Sequence, residues 1–266
     1  MDFIGVLKAC LSVGAVGLII GVLLGIASKI FAVKTDEREE KIRELLPGNN
    51  CGGCGFAGCD GLAAAIAKGE ASVNGCPVGG EAVAAAIGEI MGTSAESNRM
   101  VAFVKCNGDC DNAFVKYEYT GNLSCREAVY VTGGGPKSCS YGCMGFGSCV
   151  EECQFDAIHV INGIAVVDRE KCVACGKCVA ACPKNLIELI PYKSSYVIPC
   201  NSNDKGADVK KSCKTGCIGC TLCTKDCPTD AVKVSNFLAH INQDLCCGCG
   251  LCEKKCPQKI IKEVSS

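Results

Sequence analysis

Cysteine is the residue type whose number and spacing in this chain could do chemistry: 27 of the 266 residues are cysteine. Cys172, Cys175, Cys178 and Cys182, followed by Pro183, form the run C-x2-C-x2-C-x3-C-P. At that spacing thiolates hold cubane iron–sulfur clusters, the fourth cysteine of a run serving the neighbouring cluster. Upstream stand Cys139, Cys143, Cys149 and Cys153. The layout of these eight returns at Cys213, Cys217, Cys223, Cys227, Cys246, Cys249, Cys252 and Cys256, each 74 residues after its counterpart. An ungapped repeat of this kind marks a duplicated unit. The chemistry it implies is one-electron transfer.

Three uses of so many cysteines compete. A disulfide framework fits the count, but the total is odd and cysteines two residues apart in groups of three pair awkwardly. Zinc takes paired C-x2-C knuckles as tetrahedral ligands and needs neither the triplets nor the terminal proline. Iron–sulfur binding accounts for triplets, spaced fourth cysteine and proline together. Such clusters call for a reducing compartment. Composition agrees: no tryptophan, few aromatics and 32 glycines make a poor recipe for a large apolar core, so metal–thiolate bonds must replace part of the packing. The formal charge of −1 and the lack of a basic stripe interleaved with aromatics give no reason to expect nucleic acid as a partner.

Ligand sets follow from the pattern of a two-cluster ferredoxin, in which the fourth cysteine of each run crosses to the other cluster. In the second copy, Cys217, Cys220, Cys223 and Cys256 form one set, and Cys227, Cys246, Cys249 and Cys252 the other. In the first copy, Cys153, Cys172, Cys175 and Cys178 form a complete set. The remaining site has Cys143, Cys149 and Cys182, but Phe146 stands where Cys220 does in the second copy. Either Cys139 supplies the fourth thiolate or the site holds a three-iron cluster; the expectation is Cys139. A further set is expected near the amino end: Cys51, Cys54, Cys59 and Cys76, with glycines between the ligands and Cys59 opening an alanine-rich helix whose amide dipoles favour a negative cubane. Cys106, Cys110 and Cys125, with Cys139, are candidates for a sixth, separate site. Cys200, Cys213 and Cys247 have no expected partners and read as free thiols.

The elements that position these residues can be read in outline. Ala9 to Ser28 is an uncharged apolar stretch of 20 residues, long enough to span a bilayer as a helix. Lys29, Lys34, Arg38, Lys41 and Arg43 follow it and only Lys8 precedes it, so the carboxyl side is expected in the cytoplasm. Residues 34 to 46 read as a short amphipathic helix stopped by Pro47-Gly48. Helices are expected over Leu62 to Ala67 and Ala82 to Met91. A strand is expected over Ala113 to Tyr119, where Val115, Tyr117 and Tyr119 alternate. The repeated unit has three expected strands per copy: Ala157 to Ile161, Ile164 to Asp168 and Leu186 to Ile190, then Ala231 to Val234, Ala239 to Asn242 and Ile260 to Val264. Gly133-Gly134-Gly135 reads as a turn, without the strand-to-helix setting of a phosphate loop. Lys205, Lys210, Lys211 and Lys214 read first as a solvated loop and second as a docking patch for an acidic protein.

The fold class expected is α+β: an N-terminal transmembrane helix (1–33), a linker helix and small helical single-cluster 4Fe–4S domain (34–100), a cysteine-bearing connector (101–136), and tandem two-cluster ferredoxin-like modules (137–191 and 192–266). The combination of the span, the segment Leu46-Pro47-Gly48-Asn49-Asn50-Cys51-Gly52-Gly53-Cys54-Gly55 and the ferredoxin runs resembles the B subunit of the Rnf family of membrane-bound ferredoxin:NAD oxidoreductases. The resemblance covers essentially the whole chain. It implies an electron-transfer subunit of an ion-pumping complex in the cytoplasmic membrane, single-pass and facing the cytoplasm. It also implies reduced soluble ferredoxin and the other subunits as partners. The ligand sets themselves amount to five [4Fe–4S] clusters as cofactors, one of them three-iron if Cys139 is not a ligand, and no side chain reads as a catalytic acid, base or nucleophile. Alternatives are an electron-transfer subunit of another membrane oxidoreductase, of hydrogenase or corrinoid-activating type, and a structural zinc protein.

Overall fold

The computed structural model describes residues 3–30, 36–94, 99–122 and 124–264. The chain opens with helix α1 (Phe3–Ile30). The side chains described in it are those of Leu11 and residues 14–27, and its large apolar ones, such as Leu18 and Leu24, stand exposed. A Cβ added at Gly14, Gly17, Gly21 or Gly25 would meet nothing within 4 Å, so this face is unpacked here. Counted over the described residues alone, no helix is long and apolar enough to cross a membrane. Lys34 lies outside the described residues.

A three-helix unit follows. Helix α2 (Glu37–Leu45) starts at Asp36, whose carboxylate accepts from the Arg38 amide, with Glu37, Glu39 and Glu40 in the positive first turn. It ends before Pro47, as expected. Helix α3 (Cys59–Lys68) begins at the ligand candidate itself and ends at Gly69 in the left-handed conformation. Helix α4 (Gly80–Met91) ends the same way at Gly92. Ile42, Leu62, Ile66 and Ile87 are fully buried where the three meet, and Cys54, Phe56 and Cys76 pack against that core.

Two copies of one β-rich unit make up the rest. In the first, β1 (Met100–Val104) pairs antiparallel with β4 (Ile187–Pro191), while β2 (Ile158–Ile161) and β3 (Ile164–Val167) form a hairpin. Three short helices lie between them: α5 (Cys125–Ala128), α6 (Ser148–Glu151) and α7 (Lys177–Ala181). The second copy pairs β5 (Tyr196–Val197) with β8 (Lys262–Glu263), and β6 (Val232–Ser235) with β7 (Leu238–Ile241). Its helices are α8 (Gly206–Ser212), α9 (Leu222–Lys225) and α10 (Leu251–Lys255). The hairpins and the post-cysteine helices of the two copies begin and end 74 residues apart. Strand β1 lies in the segment expected as a connector, yet it supplies the outer strand of the first module, in the place β5 takes in the second.

The strand expected over Ala113 to Tyr119 does not form. Its odd residues bridge two different partners: Ala113 pairs with Cys213 and Val115 with Lys137. The Phe114 amide donates to Ser212 O at 3.1 Å and the Lys116 amide to Pro136 O at 2.7 Å. With its backbone bonds divided, the segment joins module two to module one instead of extending either sheet. Lys214 strengthens the join, its Nζ donating to Asp111 O at 2.8 Å.

Candidate iron–sulfur centres

Each ligand loop is a tight turn running into a short helix, so the cysteines of a triplet point to one side. The turns need residues that tolerate a left-handed backbone. Gly145 (φ 80°) and its repeat counterpart Gly219 (φ 66°) show why. A Cβ on Gly145 would lie 2.5 Å from Gly163 O, and one on Gly219 2.7 Å from Phe237 O. The loops are therefore pressed onto the turns of the hairpins beneath them.

Two of the expected sets line cavities of about 20 Å³ in full, and a third cavity of that size takes three of the four cysteines of another. Cys153, Cys172, Cys175 and Cys178 surround one, and Cys217, Cys220, Cys223 and Cys256 another. Burial pushes the Cys178 thiol up to about 11, with Cys172, Cys175 and Cys153 adding. Burial likewise takes Cys223 up to about 12, helped by Cys217, Cys220 and Cys256. Four thiols packed so closely resist ionising together unless cations sit among them.

The third cavity belongs to the irregular site. Its cysteines are Cys143, Cys149, Cys182 and Cys125. Burial pushes Cys149 up to about 12, and Cys143, Cys125 and Cys182 contribute in that order. Cys125 opens α5, and its amide donates to the buried Ser148 Oγ at 3.0 Å. Phe146, in the place of the missing ligand, packs its ring on Tyr119, centroids 5.2 Å apart. Cys139, expected as the fourth thiolate here, lines a different cavity. Cys139 neighbours Cys213 of module two, whereas α5 is tied to the ligand loop through Ser148.

The last set of module two is more open. Burial and the neighbouring Cys246 and Cys249 raise the Cys252 thiol against the pull of the Glu253 amide. Cys227 goes the other way: its slight burial is outweighed by the amides of Val232, Thr229 and Ala231 and the Thr229 hydroxyl, and its thiol is lowered. In the helical unit, Cys54, Cys59 and Cys76 share one apolar cluster. Burial, then Cys59 and Cys54, raise the Cys76 thiol, while the Gly79 amide donates to its sulfur at 3.3 Å. The Cys59 amide donates to Asn50 Oδ1 at 2.8 Å, which holds the loop on the helix start. Cys51 lies toward module one, close enough to raise the Cys175 thiol. Gly53 there packs on the Cys175 backbone, where a Cβ would meet the carbonyl at 2.8 Å.

Cys106, Cys110 and Cys125 do not come together. Cys125 joins the Cys143 set, Cys106 lies beside Cys139, and Cys110 is exposed with its amide on Asn162 O. Cys247 is exposed too. Cys200 and Cys213 are not isolated: both line the cavity of Cys106 and Cys139. Among the described residues no three His, Cys, Asp or Glu side chains converge on a position for a single ion. Lys184, half buried, donates to Gly142 O at 3.0 Å. Burial lowers its ammonium, and Cys139, Cys143, Cys106 and Cys125 act to restore it, which places a cation among the thiols. The donor atoms, cavities and counter-charge suit a negative cubane.

Family models of known proteins match three stretches: "Putative Fe-S cluster" over residues 46–78, "4Fe-4S binding domain" over 165–188 and "4Fe-4S dicluster domain" over 216–261. The chain is 47% identical over 233 residues to the B subunit of the Na(+)-translocating ferredoxin:NAD(+) oxidoreductase complex of Acetobacterium woodii, covering 87% of this chain and 70% of that protein. It belongs to the B-subunit family of ion-translocating oxidoreductase complexes. Another member, the B subunit of the ion-translocating oxidoreductase complex of Methanosarcina acetivorans, is 43% identical over 86% of this chain and 87% of its own length. The B subunit of the proton-translocating ferredoxin:NAD(+) oxidoreductase complex of Clostridium ljungdahlii is 42% identical over 86% of this chain and 82% of its own. The family thus includes members named for sodium and for proton translocation. The three matched stretches leave outside them Cys10 and every cysteine from Cys106 to Cys153, as well as Cys200 and Cys213.

Proposed function

We propose that this chain is the iron–sulfur electron-transfer subunit of a membrane-bound, ion-translocating ferredoxin:NAD oxidoreductase. The reading rests on family membership together with cysteines grouped in fours around cavities. It acts as part of an oxidoreductase with the other subunits of that complex, and reduced soluble ferredoxin is its electron donor. When bound, [4Fe–4S] clusters take up and release single electrons at low potential.

The chain's own residues hold, space and insulate those clusters. Five sets do so: Cys51, Cys54, Cys59 and Cys76; Cys125, Cys143, Cys149 and Cys182; Cys153, Cys172, Cys175 and Cys178; Cys217, Cys220, Cys223 and Cys256; Cys227, Cys246, Cys249 and Cys252. Amides aimed at sulfur, as from Gly79 to Cys76, stabilise the thiolate and tune the site. The helical unit, the first module and the second module follow one another in space as in sequence. Gly53 touches Cys175 at the first junction and Ala113 pairs with Cys213 at the second. The working division is a membrane helix at Phe3–Ile30, the helical cluster domain to residue 99, and two modules whose outer strands begin at Met100 and Tyr196. The uncharged stretch Ala9 to Ser28, on a helix with exposed apolar side chains, supports a single span with the cysteine-rich part in the cytoplasm.

The deciding experiment is anaerobic purification of the full chain, with iron and sulfide content, electron paramagnetic resonance on reduction, and reduction by pre-reduced ferredoxin. Brown protein, reduced by ferredoxin and co-purifying with the other subunits, is expected. Colourless protein with stoichiometric zinc would overturn the proposal.

A further inference from the structure

Four cysteines outside the five sets meet at one place. Cys106 and Cys139 come from the first module, Cys200 and Cys213 from the second, and together they line a cavity of about 30 Å³. The three cavities that hold complete ligand sets measure about 20 Å³ each. The fourth cavity is thus of their size and has their donor set, but it lies between the modules.

The arrangement follows the repeat. Cys139 and Cys213 are counterparts 74 residues apart. Cys106 follows outer strand β1 and Cys200 follows outer strand β5. The Cys106 sulfur accepts from the Cys143 amide at 3.3 Å, and the Cys200 sulfur from the Cys217 amide, also at 3.3 Å. Cys143 and Cys217 are counterparts as well. Each module therefore presents an equivalent pair of thiols to the junction, each pair one hydrogen bond from a ligand of that module's own cluster. A Cβ at Gly108 would lie 3.5 Å from the Cys213 sulfur and 3.6 Å from that of Cys106, so thiols of different modules face one point.

A buried cation stands at the same place. Lys137 is 6% exposed, and its Nζ donates to Gly108 O and Gly163 O, each at 2.7 Å. Among the described residues no carboxylate lies within ion-pair distance of it. A buried ammonium bound only to carbonyls needs a negative neighbour. A cubane held by four thiolates supplies one, since its net charge is negative.

We propose that Cys106, Cys139, Cys200 and Cys213 hold a sixth [4Fe–4S] cluster, clamped between the two ferredoxin-like modules. Two ligands come from each module, so the site is complete only when the modules are docked, and the cluster staples them. The inference rests on the reading of the neighbouring cysteines as cluster ligands, and its test separates the two. Iron, sulfide and zinc are measured per chain on the anaerobically purified full-length protein and on the Cys139→Ser/Cys213→Ser variant. The wild type is expected to hold about 24 iron, four for each cubane. The variant is expected to lose about four iron and four sulfide, with its far-UV spectrum unchanged. Brown wild type whose iron is not reduced in the variant overturns the sixth site alone, as does loss of one zinc in place of iron. Colourless wild type overturns the iron–sulfur reading of the whole chain. If the double variant fails to fold, Cys200→Asp keeps an oxygen ligand in place. An altered resonance spectrum at retained iron supports the site, and an unchanged spectrum overturns it.

Discussion

Phe146 stands where the second copy has Cys220, and Cys125 lines the cavity of that site in its stead. In copy two Cys213 comes 13 positions after Cys200, whereas in copy one Cys139 comes 33 positions after Cys106. The extra stretch carries α5 and Cys125, which reaches the site whose own loop has Phe146 in the ligand position. Cys125→Ser is expected to leave three cysteines there and to produce a three-iron resonance signal in the oxidised protein. Adding Phe146→Cys to that variant should restore the four-iron site, because the position matches Cys220. A Cys125→Ser protein with an unaltered spectrum would show that another ligand serves the site. Gly219 is a second sensitive residue. Its φ of 66° and the 2.7 Å approach of a Cβ to Phe237 O make Gly219→Ala cost roughly 2 kcal/mol. The expected result is lower iron retention and a lower midpoint in denaturant, whereas Gly176→Ala, whose Cβ meets nothing within 4 Å, should cost less.

At the scale of elements, the two hairpins carry the same turn with different residues. Asn162-Gly163 has φ values of 47° and 75°, the two-residue turn that matches strand twist. Its counterpart is Asn236-Phe237, with φ values of 48° and 61°. A phenylalanine held in the left-handed region costs about 1 kcal/mol or more. Phe237→Gly should therefore raise the thermal midpoint of the loaded protein by a few degrees, and a lowered midpoint would mean that the half-exposed ring is needed for packing. The short helices after the cysteine runs of the two modules carried no signal of their own, whereas the hairpins were legible from alternation and from the repeat, because both are local along the chain. The strand expected over Ala113 to Tyr119 was misread for the same reason. Alternation reports which side chains suit a sheet, not which backbone is free to pair, and this one is divided between Lys137 and Cys213. Lys210 and Lys211 end helix α8 and Lys214 is tied to Asp111, so the expected lysine loop is a helix end at the junction.

Across the whole molecule the apolar core is split into three clusters. Cysteines form part of what there is: Cys149 and Cys172 belong to the core of the first module, and Cys217, Cys223 and Cys252 to that of the second. Removing iron should therefore unfold both modules. The unit of α2, α3 and α4 keeps Ile42, Leu62, Ile66 and Ile87 buried and is expected to hold helix longer. Limited proteolysis after chelation checks this, and survival of fragments from 137–264 would contradict it. At the other end, the full chain is expected in the membrane fraction and released by detergent, and a chain starting at residue 34 in the soluble fraction. Equal partition of the two would count against the span.

By itself the sequence determined the cofactor chemistry, the duplication and most of the triplets. Three ligands within one short loop are fixed by covalent distance, and a repeat without gaps places its copy by counting. Which distant cysteines stand together follows from the tertiary structure. Cys125 rather than Cys139 stands at the Phe146 site, and Cys106, Cys139, Cys200 and Cys213 share one cavity. Those choices depend on how α5 lies over a loop and how two modules dock. Packing over long separations sets such contacts, and no spacing along the chain encodes them.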